Sequence, residues 1–185
     1  MPKKLLEPQT ILFPLPAVMV SCQKRDEKPN IITLAWVGVV CSEPPMVGIS
    51  IRKSRYSHGI VKESKEFVIN VPTQKLLKAT DFCGTKSGKN VDKFSETKLT
   101  PVKAEKVKAP LIKECPVNLE CVVKQVLELG SHDLFLGEIV ATHIDSDFLD
   151  SSGKLDVGKM ELFCYCPKAH EYRAVGEALG KYGMV

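Results

Sequence analysis

The densest group of residues able to do chemistry is Arg52, Lys53, Ser54, Arg55, Tyr56 and Ser57. Two guanidiniums, an ammonium and three hydroxyls in consecutive positions can neutralise and hydrogen-bond an anion. Residues 52–66 read as a loop running into a short helix with Ser57 as its N-cap, and a helix N-terminus turns further N–H donors toward the same anion. A phosphate group suits such a turn; a solvated basic turn is the bland account of it.

Other chemical motifs fail on spacing. GTKSGKN at 84–90 has three residues between Gly84 and Gly88, and Asn90 stands where a phosphate loop needs Ser or Thr for magnesium. No GxGxxG or GxSxG is present, which argues against a doubly wound dinucleotide fold and a serine hydrolase. Cys164, Cys166 and His170 form C-x-C-x3-H, which is no standard zinc spacing, so buried small hydrophobes are the favoured account and no metal site is expected.

Composition narrows the classes further. The chain has 185 residues, 44% hydrophobic and 26% charged, suiting one domain over 1–185. A net charge of +4 is spread too thinly for a nucleic-acid stripe. No run of about eighteen apolar residues marks a membrane helix. Pro8, Pro14 and Pro16 spoil the N-terminal stretch as a signal peptide. Seven cysteines, an odd number, read as reduced thiols, so a cytoplasmic protein is expected.

The elements that must position these residues are mostly strands. Residues 17–22, 31–41, 46–51 and 67–71 are apolar and β-branched, and are separated by Pro29-Asn30, Glu43-Pro44-Pro45 and helix-like stretches. Two longer strands are expected within 117–123 and 133–145, with Gly130-Ser131 as the turn between them and Asn118 and Glu120 on the polar face of the first. Residues 73–83 read as a helix, 97–110 as irregular, and 170–180 as a final helix ended by Gly180. Many strands with few short helices point to an antiparallel barrel.

The order of several short motifs sharpens this. NIITLAW at 30–36, C-x-EPP at 41–45, VGISI at 47–51, R-x-SRYSHG-I at 52–60 and F-x-IN at 67–70 resemble the flavin reductase-like family. SGK-x-x-DKF at 87–94, AP-x-I-x-E at 109–114, LEC at 119–121 and the G-S-H-D and GE pieces at 130–138 extend the resemblance over nearly the whole chain. It implies an FMN-binding split β-barrel: mainly β, an antiparallel Greek-key barrel with short flanking helices.

The resemblance also implies a site. Arg52, Lys53, Arg55, Tyr56 and Ser57 would bind the FMN phosphate, Asn30 and Thr33 the ring or ribityl oxygens, and Thr33, Leu34, Ala35 and Trp36 would run along the flavin. Ser50 and Cys41 join the cofactor residues; a core aromatic and a structural thiol are the rival accounts of Trp36 and Cys41. Ser87, Gly88 and Lys93 would close the site, His132 would face a nicotinamide, and Tyr165, His170 and Tyr172 would lie over it across a dimer interface. Ser131 stands at the acidic position of the family's G-D-H-like element, and Asp133 follows the histidine.

The implied function is an oxidoreductase that passes electrons from NADH or NADPH through FMN to free flavin, ferric iron or a partner protein. The alternative is a flavoredoxin-like carrier without its own nicotinamide site. A pyridoxal-phosphate or haem barrel is the non-flavin rival. A homodimer is expected, with neither nucleic acid nor membrane as partner.

Overall fold

The computed structural model describes residues 1–184. The first half contains β1 (Leu15–Pro16), β2 (Val18–Cys22), β3 (Asn30–Leu34), β4 (Val37–Cys41), β5 (Met46–Arg52), α1 (Tyr56–Ser64) and β6 (Glu66–Val71). A 3-10 turn at Gln74–Leu76 leads into α2 (Leu77–Thr85), followed by α3 (Lys93–Thr97) and the short β7 (Pro101–Val102) and β8 (Leu111–Ile112). The long β9 (Val117–Leu129) and β10 (His132–Ile144) come next, and β11 (Phe163–Cys166) and β12 (Glu171–Ala174) complete the set.

A seven-stranded sheet runs in the order β3-β2-β6-β9-β10-β5-β4, and its neighbouring strands pair antiparallel. Its inner face curls until Ile32 and Leu34 of β3 share a core with Val47, Ile49 and Ile51 of β5. β3 nevertheless pairs only with β2, so the barrel is split. Ile60 and Val61 of α1 enter the same core beside the fully buried Phe67 and Phe135. Burying each such side chain stabilises the fold by roughly 1.5–3 kcal/mol. A Cβ on Gly137 would lie 2.8 Å from the Phe67 ring, so the bare backbone of β10 makes room for that anchor.

Three local expectations change and one helix is added. The apolar run 31–41 is not one strand: it breaks at Ala35-Trp36 into β3 and β4, which lie at opposite edges of the sheet. Apolar periodicity is the same on both sides of the break, whereas the Ser50 N–H donating to the Trp36 carbonyl at 2.9 Å is a long-range contact. Ser57 does not cap α1; Arg55 holds that position without a side-chain cap bond. α3 is an additional helix, capped by the Asp92 side chain accepting from the Ser95 N–H at 3.2 Å. Finally, 170–180 is not helical. Residues 171–174 pair with β11 as β12, where Tyr172 packs against Phe163 and Tyr165, and cross-strand aromatic contacts outweigh weak local helix preference.

The face of β9 that reads as polar is also buried. Glu120 has no exposed surface, and its carboxylate accepts the N–H groups of Glu105 (2.9 Å), Lys106 (2.6 Å) and Val107 (3.0 Å), with His143 Nε2 2.6 Å away. These bonds hold the irregular 103–109 segment over Val68. Seven free thiols are distributed through the fold. Among the described residues no helix is long and apolar enough to cross a membrane.

Burial pushes the Glu120 carboxyl up, but the three N–H bonds and His143 outweigh it and hold the carboxyl below its ordinary value of 4.5. A lowered folded value means that this stabilisation is complete above about pH 4.5 and is lost as pH falls further. Glu120→Gln is therefore expected to cost about 2–3 kcal/mol near neutrality. Thermal denaturation should show the gap from the parent chain narrowing below about pH 4.5. A gap independent of pH would contradict this account.

Candidate functional site

The seam of the split barrel opens into a cleft with two compartments. One, of about 390 Å³, is walled by Thr33, Leu34, Ala35 and Trp36 where β3 ends, and by Ser50 and Arg52 of β5. His132 at the start of β10 and Tyr165, His170 and Tyr172 of the β11–β12 hairpin complete it. The other compartment, of about 470 Å³, is walled by Ser54, Tyr56 and Ser57 at the start of α1 and by Ser87, Gly88 and Lys93. Ile32, Arg52, Arg55 and Gly84 line both, so the compartments adjoin.

The second compartment gathers groups that can hold an anion. The N-terminal end of α1 lines it through Tyr56 and Ser57, and Arg52 and Arg55 line it as well. Lys93 is 4% exposed, and its Nζ donates to the carbonyls of Ile31 and Cys83, both at 2.7 Å. An ammonium has three N–H donors, and the third has no protein acceptor among the described residues. Burial pulls the Lys93 pKa below its ordinary value; charge interactions with the Cys83 and Cys22 thiols act the other way, and Arg55 adds to the lowering. An anion beside Lys93 would restore what burial takes from it.

The first compartment is aromatic. The Trp36 indole is 43% exposed, so it is not a core residue, and it lies stacked with the His132 ring at 6.3 Å between centroids. Partial burial and the Arg52 charge lower the His132 pKa, favouring the neutral ring, whose Nδ1 is 2.9 Å from Ser131 Oγ. On the facing wall Tyr165 Oη lies 3.3 Å from His170 Nδ1, and the Tyr172 hydroxyl donates to Asp81 of α2 at 3.2 Å. Burial pushes the Tyr172 phenol up to about 12, and Asp81 reinforces this, so it remains a neutral donor.

Three sequence candidates sit differently from the rest. Asn30 braces the wall from behind: its Nδ2 donates to Ser57 Oγ at 2.7 Å. Lys53 points away from the cleft, with Nζ 3.3 Å from Asp133 and 3.8 Å from Glu128. Cys41 lies at the far end of β4, its thiol directed at the Glu43 carbonyl at 3.4 Å, and lines neither compartment. Thr33 lines the cleft, but its hydroxyl is spent on the Thr80 carbonyl. Sequence reasoning missed the α2 wall of Asp81, Gly84 and Thr85. The available signal was a glycine inside a helix: a Cβ on Gly84 would meet Thr33 Cβ at 3.2 Å, so helix and strand touch there.

The model of the flavin reductase like domain matches residues 11–159. The chain belongs to that family. The match spans both compartments except the β11–β12 wall. Flavoredoxin of Desulfovibrio vulgaris (Miyazaki F) superposes with a TM-score of 0.92 at 36% identity, covering 98% of each chain. Flavoredoxin of Methanosarcina acetivorans gives 0.89 at 31%, covering 99% of this chain and 97% of the other. An uncharacterised protein of Archaeoglobus fulgidus is 47% identical over 132 residues, 71% of this chain and 73% of its own. The split barrel is thus that of flavin reductase-like proteins.

Gly88 tests the geometry of the anion compartment. A Cβ there would fall 2.0 Å from Asn30 Oδ1 and 3.1 Å from the Tyr56 ring. Gly88→Ala must displace the bond from Asn30 to Ser57 and is expected to cost about 1–3 kcal/mol in thermal denaturation. Gly84→Ala, facing a milder contact in a helix that prefers alanine, should stay within about 1 kcal/mol of the parent. Equal losses would show that the Gly88 contact is not the constraint.

Proposed function

We propose that the cleft binds FMN and that the protein is an oxidoreductase, taking electrons from NADH or NADPH and passing them to free flavin, ferric iron or a partner protein. The observation that carries this reading is the adjacency of a cationic, hydroxyl-rich compartment to an aromatic one, which matches a phosphate joined through a polar chain to a flat ring. Arg52, Arg55, Ser57, Ser87 and the spare donor of Lys93 hold the phosphate. Leu34, Ala35 and Trp36 give the ring an apolar bed and exclude water from it. Neutral His132 offers a hydrogen bond to a nicotinamide carboxamide without placing a fixed charge beside it. Bound FMN supplies hydride acceptance and stepwise electron release, chemistry that belongs to the cofactor.

The two flavoredoxin structures favour a second reading, a flavoredoxin-like FMN electron carrier reduced by a partner protein. We also propose a homodimer. Leu12 and Phe13 of the N-terminal arm are 74% and 56% exposed, and Val39 and Val40 of the edge strand β4 are 75% and 54% exposed. Exposed apolar side chains along an unpaired strand edge are what a second copy would cover. The seven free thiols support a reducing, cytoplasmic setting.

The purified protein is expected to show a flavin absorbance spectrum that bleaches on anaerobic addition of NADH or NADPH. A flavin spectrum that stays oxidised with both donors would move the assignment to the carrier reading. A colourless protein that does not take up added FMN would refute both. Sedimentation velocity is expected to give a dimer, and a monomer throughout the micromolar range would remove the dimer proposal.

A further inference from the structure

An ion cluster centred on a buried carboxylate lies directly behind the cleft wall. Asp133 of β10 has no exposed surface. Its Oδ2 is 2.8 Å from His58 Nε2 and 3.8 Å from Lys62 Nζ, both on α1, and its Oδ1 is 3.3 Å from Lys53 Nζ. His58 is itself 8% exposed and meets the Phe135 ring edge-on, so the cluster caps the barrel core. Each of three members is the chain neighbour of a cleft residue: Lys53 lies between Arg52 and Ser54, His58 follows Ser57, and Asp133 follows His132. Strand alternation turns His132 to the cleft and Asp133 to the interior.

We infer that Asp133 is a positioning residue for the cofactor phosphate, fixing the 52–57 turn and α1 against the strand that carries His132. This inference rests on the FMN reading of the cleft. The turn needs such a tie because its backbone link to β10 beyond the strand ladder is long, Lys53 N–H to the Ser131 carbonyl at 3.4 Å. α1 lacks a side-chain N-cap, so its first turn is held from outside the helix. Asn30 holds it at Ser57, and the Asp133 carboxylate adds a second hold that draws in one residue of the turn and two of the helix. Its Oδ1 makes an ion pair with Lys53 but no directed hydrogen bond, so the tie on that side is charge alone. Burial pushes the Asp133 carboxyl up, and the hydrogen bond to His58 together with the charge of Lys53 outweighs this, keeping it ionised.

The sign of one substitution separates positioning from through-space charge. Asp133→Asn keeps size and shape but removes the charge. Positioning predicts that FMN binding, followed by quenching of flavin fluorescence, weakens about tenfold, while riboflavin, which lacks the phosphate, changes by less than about twofold. Through-space charge predicts the opposite for FMN, because deleting an anion behind a phosphate site tightens it. Asp133→Glu keeps the charge and moves it, so positioning predicts weaker FMN binding and through-space charge predicts none. Tighter FMN binding by Asp133→Asn, unchanged FMN binding by Asp133→Glu, or equal losses for FMN and riboflavin would overturn the inference. A parent protein that binds no FMN would instead refute the functional reading on which it stands.

Discussion

The seam left open in the seven-stranded sheet governs the molecule. The sheet curls far enough for β3 and β5 to share a core, yet they do not hydrogen-bond to each other. A sheet edge ordinarily has to be covered or paired. Here α2 packs along β3, with Gly84 against Thr33, and the gap beside them becomes the cleft. A closed barrel of the same strands would have a filled interior and no such groove. The break at Ala35-Trp36 allows this, since it sends one apolar run to both edges of the sheet.

Charge is sorted across the wall of that cleft. Arg52, Arg55 and the hydroxyl residues Ser54, Tyr56 and Ser57, with Lys93, line the groove, while Lys53 turns to the carboxylate Asp133, which is buried behind them. A buried carboxylate is expensive unless several donors surround it, and removing one partner leaves the other stranded. Glu120 shows the same arrangement on the opposite face of the sheet, where three backbone N–H groups and a histidine satisfy it. Each acid ties an irregular segment to a rigid strand. This keeps residues 53–55 and the 103–109 segment ordered without regular secondary structure of their own.

The aromatic end is organised differently. Its walls come from distant parts of the chain: Trp36 from the break between strands, His132 from the start of β10, and Tyr165 and Tyr172 from the C-terminal hairpin. No short motif encodes this gathering. It follows from β1 pairing with β11 and from the Tyr172 hydroxyl reaching Asp81 of α2.

The sequence by itself determined the strand-rich class, the turn at Gly130-Ser131, the basic turn before α1 and, through motif order, the split-barrel family. These features depend on local spacing and on residue types that act over a few positions. Only the tertiary structure decided that 31–41 is two strands, that 171–174 is a hairpin strand rather than part of a helix, and that Glu120 is buried. It also turned Lys53 to Asp133, left Cys41 outside the cleft, and brought in the α2 wall. Each of these outcomes depends on which distant surface covers a residue. Alternation and propensity specify what a side chain offers, but the partner across the sheet or behind the wall fixes where it points.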